Sequence, residues 1–315
     1  MRRLAIAVLS IFALAGATRN ASADDTLKVA VPQKGAWDAG IAELGQRGGI
    51  FKKHGLDLEI LYTTAGPESI QAMIAGSIDI AVASGVSAAV GTFAKGAPIR
   101  IISSEMTGAP DLYWYVPADS PIHTIADMND KTVAFSAVGS SSHGSLLALI
   151  AQYHLTAKPT PTGNIASTIT QTMTKQVDVG FGAAPFGLDL IESGKARVIA
   201  TGNDVTALRT RAVRVNLTGA STLQNRHDVI ARFMQGYKET VEWMYSSPEA
   251  LKIYGEYSGL PDNIVQRVVK LVPKDSLQTD QVMGMDSIMT DAVAQKFLAA
   301  PLTPDQLKEL IQVQK

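Results

Sequence analysis

The chain has 315 residues, with 28 Lys and Arg against 29 Asp and Glu, five His and no Cys. Without Cys there is no disulfide, no thiolate metal site, no cysteine nucleophile and no cysteine for a lipid anchor. A near-neutral charge without a basic cluster argues against nucleic acid or an anionic membrane as partner.

The chain opens on Met1, Arg2 and Arg3, followed by an apolar run from Leu4 to Ala15 and the small residues Ala21-Ser22-Ala23. That order reads as a secretory leader cleaved after Ala23. The run falls short of the roughly 20 apolar residues that an ordinary membrane-spanning helix takes. Removing residues 1–23 leaves 315 − 23 = 292 residues and takes away Arg2, Arg3 and Arg19. The remaining 28 − 3 = 25 basic residues face 29 acidic ones, a net charge of −4. The expectation is a monomer released into the periplasm, long enough for two lobes.

From Asp24 onward, short Val- and Ile-rich runs alternate with segments of helical period. The runs Leu27–Val31, Leu58–Tyr62, Ile78–Ala83, Ile99–Ser103 and Leu112–Val116 read as strands, as do Thr132–Ser136, Val177–Gly182, Val198–Thr201 and Val213–Leu217. Most are apolar on both faces, as strands covered by helices on each side are. Ala39–His54, Glu68–Ala75, Ser87–Lys95, Ser145–Tyr153 and Ser167–Lys175 read as the intervening helices. After His227 no strand is expected. Asp228–Met244, Pro248–Ser258, Pro261–Val269 and the stretch beyond Asp275 read as helices. Strand–helix alternation predicts an α/β fold with mainly parallel sheets.

One pattern occurs twice. An amphipathic segment from Ser69 runs into a strand opened by Asp79, and a similar segment from Ser167 runs into one opened by Asp178. The two aspartates lie 178 − 79 = 99 residues apart, about one lobe's length, which suggests two similar α/β lobes.

In open α/β sheets ligands bind beyond the carboxyl ends of the strands, and four such turns are legible. They are Pro32–Asp38, Ser84–Ser87, Val138–Gly144 and Ala183–Phe186. Ser140, Ser141 and Ser142 stand together between Gly139 and Gly144. Hydroxyls at a helix start cap its free N–H groups or bond a ligand, and the helix dipole there favours an anion. Trp37 can stack on a ligand or fill the core of its lobe. His143 can donate to an anion, cap the helix or face solvent.

No catalytic set emerges. The histidines form no i, i+4 pair, Gly-x-Ser-x-Gly is absent, and Val82-Ala83-Ser84-Gly85 lacks the lysine of a phosphate loop. Ser140 and His143 lie on one turn, whereas triad members normally come from separate turns. No metal or cofactor is implied.

Several segments resemble the nitrate/sulfonate/taurine class of ABC substrate-binding proteins. Gly49-Ile50-Phe51-Lys52-Lys53-His54-Gly55-Leu56-Asp57-Leu58-Glu59 resembles its G-x-F-x-x-x-G-L-x-V-x. Ala72-Met73-Ile74-Ala75-Gly76-Ser77-Ile78-Asp79 resembles A-L-x-x-G-x-I-D. Lys95-Gly96-Ala97-Pro98 and the Ser120–Ala134 stretch match two further family patterns in the right order. The resemblance covers about Leu27 to Ser258. It implies a type II periplasmic-binding protein fold, with a ligand cleft between two lobes joined by two crossovers. Lobe 1 would hold residues 24–109 plus 212–315, and lobe 2 residues 110–211. By position, the ligand residues would be Ala36, Trp37, Ser84, Gly85, Ser140, Ser141, Ser142, His143, Ala183 and Pro185. Many members carry a tryptophan before the proline of the last turn, where this chain has Ala183-Ala184-Pro185.

The resemblance implies a receptor of an ABC importer that hands a small, anionic organic solute, such as a sulfonate, to a permease and ATPase complex. Two rivals remain. A sensor lobe presenting its ligand to a membrane kinase would look the same in sequence. Thiamine-pyrimidine synthases share the fold, but their cysteine-rich signature has no counterpart in a chain without Cys.

Overall fold

The computed structural model describes residues 24–314; the predicted leader Met1–Ala23 lies outside the described residues. Ten strands follow one another as β1 (Asp25–Pro32), β2 (Leu56–Thr63), β3 (Ile80–Gly85), β4 (Ile99–Thr107), β5 (Leu112–Pro117), β6 (Thr132–Phe135), β7 (Lys158–Pro161), β8 (Gly180–Ala183), β9 (Ala196–Thr201) and β10 (Ala212–Gly219).

The first sheet has the order β2-β1-β3-β10-β4. Its β1 is parallel to β2 and β3, whereas β10 runs antiparallel to β3 and β4. Strands β8-β5-β9 and β6-β7 form smaller sheets, tied together by a bridge between Val133 and Val179. Taken through that bridge, the second order is β7-β6-β8-β5-β9, again with one antiparallel strand, β5, in fourth place. All six residues of β3 and all six of β5 are buried, because helices cover both faces of each sheet.

The recurring aspartates now have a physical role. Asp79 Oδ2 accepts the backbone N–H of Lys28 in β1 at 2.8 Å, and Asp178 Oδ2 accepts that of Thr132 in β6, also at 2.8 Å. Each carboxylate fastens the second strand in the order of its sheet to the third.

The predicted helix Ala39–His54 is two helices, Ile41–Arg47 and Ile50–Lys53. Gly49 between them has φ 70°, a left-handed conformation that ends a helix at little cost only for glycine. Strand β7 was not expected. Its sequence Lys-Pro-Thr-Pro has two prolines, which cannot donate to a ladder and are tolerated because β7 is an edge strand. The helix expected from Ser145 starts four residues earlier, at Ser141.

Two connections join the sheets: residues 108–111 between β4 and β5, and 202–211 between β9 and β10. They touch where Gly108 N donates to Arg211 O at 2.9 Å. The chain beyond β10 returns to the first sheet as helices. His227–Ser246 packs on Ile41–Arg47, and Met285–Ala294 packs on Val86–Ala94.

Candidate functional site

The carboxyl ends of β1, β3, β6 and β8 converge between the two sheets on a cavity of about 50 Å³. From the first sheet come Gln33, Ala36, Asp38, Ala83, Gly85 and Arg214; from the second come Asp111, Ser136, Ser140, Ser141, Ser142 and Ala183. Four helices start at its wall: Gly66–Ile74, Val86–Ala94, Ser141–Tyr153 and Ile165–Met173. Their free N–H groups and dipoles make the region receptive to negative charge or strong acceptors.

The serine turn divides its labour. Ser140 Oγ accepts the N–H of His143 at 3.2 Å and so caps the helix. Ser142 Oγ lies 3.0 Å from both Ser136 Oγ and Ser140 Oγ and accepts Ser136 N at 3.1 Å. Ser141 Oγ accepts Arg214 Nε at 3.0 Å. The turn is pinned through Ser140 and Ser142, while Ser141 meets the opposite lobe.

Arg214, 5% exposed on β10, is the electrostatic centre. Its Nη1 donates to Asp38 Oδ2 at 3.0 Å and to the Met106 sulfur at 2.9 Å, and its Nη2 donates to Asp111 Oδ2 at 2.8 Å. Burial works against the guanidinium charge, but Asp111, Asp38 and Glu105 together raise its proton affinity above the ordinary value. Burial raises the Asp38 carboxyl above its usual range, with Arg214 opposing. Glu105, on β4, is fully buried with neither carboxylate oxygen bonded among the described residues. Its burial, reinforced by the charge of Asp38, holds its carboxyl well above the usual range. The cluster therefore sets the Arg214 guanidinium between the carboxyl groups of Asp38 and Asp111, with the Glu105 carboxyl, raised by burial, behind them.

At Gly85 the lobes approach backbone to backbone. A Cβ placed on Gly85 would lie 2.6 Å from Gly139 O and 2.8 Å from Ser141 N, across the boundary between the sheets. Gln33 Oε1 also accepts Ile165 N across that boundary, at 3.4 Å.

Of the residues singled out from sequence, Ala36, Gly85, Ser140, Ser141, Ser142 and Ala183 line the cavity together. Trp37 does not. Its indole is fully buried in the first lobe, donates Nε1 to Tyr245 Oη at 2.8 Å and stands edge-on to Tyr254 with centroids 4.7 Å apart. Ser84 is fully buried between the lining residues Ala83 and Gly85. His143 turns away to stack on Phe135 at 4.2 Å, its Nδ1 accepting Gly139 N, and it lines a separate groove with Lys95 and Phe297. Pro185 lines another groove with Phe186 and Tyr257.

Sequence reasoning missed Asp38, Asp111 and Arg214 as site residues. The available signal was Arg214 itself, a charge in the strand Ala-Val-Arg-Val-Asn-Leu-Thr-Gly whose other residues are mostly apolar. A charge in a strand buried on both faces needs a partner.

Residues 42–251, which are 251 − 42 + 1 = 210 of the 315, match the family described as NMT1/THI5 like. The chain belongs to that family. Solved structures similar to this NMT1/THI5-like protein include the alkanesulfonate-binding protein SsuA from Xanthomonas axonopodis pv. citri bound to MOPS. It is 20% identical with a TM-score of 0.73, over 86% of this chain and 90% of that one. The periplasmic aliphatic sulphonate binding protein SsuA from Escherichia coli is 20% identical with a TM-score of 0.73, over 92% of each chain. The periplasmic nitrate-binding protein NrtA from Synechocystis PCC 6803 is 14% identical with a TM-score of 0.71, over 91% of this chain and 86% of that one. At such identities the likeness establishes the fold, the two-lobed α/β architecture of periplasmic binding proteins. The similar proteins are substrate-binding proteins, not enzymes. No curated protein sequence matches this chain. Among the described residues no helix is long and apolar enough to cross a membrane.

Proposed function

We propose that this NMT1/THI5-like protein is the periplasmic solute receptor of an ABC importer, exported by its leader and released after Ala23. Lobe 1 comprises residues 24–109 and 212–315, lobe 2 residues 110–211, and the lobes close around a small organic solute. The acidic end of that solute sits at the start of the Ser141–Tyr153 helix, where Ser141 and the free N–H groups receive it.

The observation that carries this reading is the cavity itself, where strand ends of both sheets and four helix starts meet around the Asp38–Arg214–Asp111 cluster and the hydroxyls of Ser136, Ser140 and Ser141. Receptors of this architecture close by rotation about their paired connections, and here those connections are the touching segments 108–111 and 202–211.

The test combines a thermal-shift screen of small carboxylates, sulfonates and nitrate with small-angle scattering of the mature protein. A binding solute should raise the melting temperature by mass action and shrink the radius of gyration. If no such solute raises the melting temperature, or the radius stays the same at saturation, the receptor reading is wrong.

A further inference from the structure

A second cavity, of about 20 Å³, lies between the lobes and shares Gly85, Ser140 and Ser141 with the first. Its other polar side chains are Ser87 from the first lobe, Ser145 from the second and Arg211 from the connection between β9 and β10. One hydroxyl there is unexplained. Ser145, 2% exposed on the Ser141–Tyr153 helix, has an Oγ with no hydrogen-bond partner among the described residues. A buried helical hydroxyl commonly donates to the carbonyl four residues back. Thr168 does so to Asn164 O and Thr172 to Thr168 O in the neighbouring helix, at 3.1 and 2.7 Å. Ser145 does not, and a buried polar atom generally has a partner in the working molecule.

The surroundings favour an anion as that partner. The helix Val86–Ala94 starts at the cavity wall, and Gly85 before it has no side chain to cap the first N–H groups. Ser87 Oγ lies 3.4 Å from where a Cβ on Gly144 would stand, so this hydroxyl reaches across the lobe boundary toward the helix that carries Ser145. Arg211, 6% exposed, adds a guanidinium whose side-chain hydrogen bonds among the described residues use Nη1 alone, to Asp291 Oδ2 at 2.6 Å and Ser287 O at 3.5 Å. Among the described residues no Asp or Glu lines this cavity, whereas Asp38 and Asp111 line the first. Two helix starts and a guanidinium without a carboxylate give it a positive potential.

We infer that this second cavity is a binding site for a monatomic anion, a halide such as chloride, held between Ser87 and Ser145 where both lobes meet their connection. Size sets the class. About 20 Å³ exceeds the roughly 10–15 Å³ that one water takes and leaves no room for an oxyanion such as sulfate. The site is separate from the solute cavity, and its test uses no solute.

Sodium chloride replaces sodium gluconate at constant ionic strength, and the melting temperature of the mature protein is followed. Gluconate is too large to enter. The melting temperature should rise by about 2–4 °C per tenfold in chloride once the site begins to fill, and bromide should act in the same way. Ser87→Ala and Ser145→Ala should each cut that rise to less than half. Ser145→Ala removes a hydroxyl that bonds nothing within the described chain, so its fold should be kept. Crystals grown in bromide should place one anomalous scatterer between Ser87 and Ser145. Equal melting in chloride and gluconate overturns the inference. So does a full chloride response in either variant, or a water molecule in that place in the bromide-grown crystals. The receptor reading stands in each of those cases, because only solutes test it.

Discussion

The two lobes have the same plan and opposite chemistry. Substituting β6, β7, β8, β5 and β9 for β1, β2, β3, β10 and β4 turns one strand order into the other. Asp79 and Asp178 fasten equivalent strands at the same 2.8 Å distance. Yet the first lobe brings charge to the cleft, through Asp38 and Arg214, while the second brings the serine turn and contributes one carboxylate, Asp111, where β5 begins. The backbone plan is therefore silent about the ligand. What the cleft can hold depends on side chains at the strand ends, which the two copies do not share.

The largest effect should come from removing the charge of the first lobe. Arg214→Met leaves Asp38 and Asp111 facing one another in a buried site, and breaking such a pair costs about 3–5 kcal/mol. Chemical denaturation should show that loss at pH 7 and a smaller one in acid, where the Asp38 carboxyl, raised by burial, takes up a proton. A loss below 1 kcal/mol would mean that water reaches the cluster and that the lobes differ less than their geometry indicates.

Next comes the contact between the lobes. Gly85→Ala puts a methyl group where Gly139 O and Ser141 N lie within 3 Å. The backbone of Gly85 has φ −60°, which alanine accepts without strain, so the fold should survive while closure does not. Solute affinity should fall by more than roughly tenfold, and scattering should show an expanded particle. An unchanged radius with unchanged affinity would show that the lobes need not approach this closely.

Within the second lobe, adjacent serines separate structure from binding. Ser140→Ala removes a helix cap and should cost about 1 kcal/mol of stability. Ser141→Ala removes no cap; its hydroxyl faces Arg214 and the cavity. It should lower affinity with little change in melting temperature. The opposite pattern would move solute recognition away from the Ser141 side chain.

These contrasts also mark where the sequence was readable. Nine strands were visible because Val- and Ile-rich runs alternate with helical periods, and ligand-bearing turns follow from strand direction alone. Strand β7 was invisible because Pro159 and Pro161 erase both propensity and pattern. The duplicated Asp79 and Asp178 pattern was legible because each aspartate acts on a strand of its own lobe. The Arg214 cluster was not. Its partners Asp38 and Asp111 lie 176 and 103 residues away in sequence, and only the return of β10 to the first sheet brings Arg214 to them. Trp37 shows the converse. Its place in a ligand-type turn suggested the cleft, but the C-terminal helices supply Tyr245 and Tyr254, and the indole is buried against them.

The smallest effect should be a pH dependence confined to the second lobe's turn. Desolvation lowers the His143 imidazole below its usual value of 6.5. Its Nδ1 accepts Gly139 N at 3.2 Å, so the neutral form is the one that holds the turn. Protonation would place a donor against a donor, beside Phe135 and near Lys95 and Lys296, which line the same groove. The sign follows from linkage. Above pH 6.5 both folded and unfolded chains hold a neutral ring, and the histidine adds no pH dependence. As pH falls below 6.5 the unfolded chain binds the proton first, so the folded state loses stability until the lowered folded pKa is reached. His143→Gln cannot titrate and should lack this component. Melting curves of both proteins at pH 7.5 and 5.5 isolate it, because the carboxylates shared by both cancel in the difference. The wild type should lose slightly more on acidification than the variant. An equal loss would mean that His143 exchanges its proton without moving Gly139, and the turn would owe its shape to Ser140 and Ser142 alone.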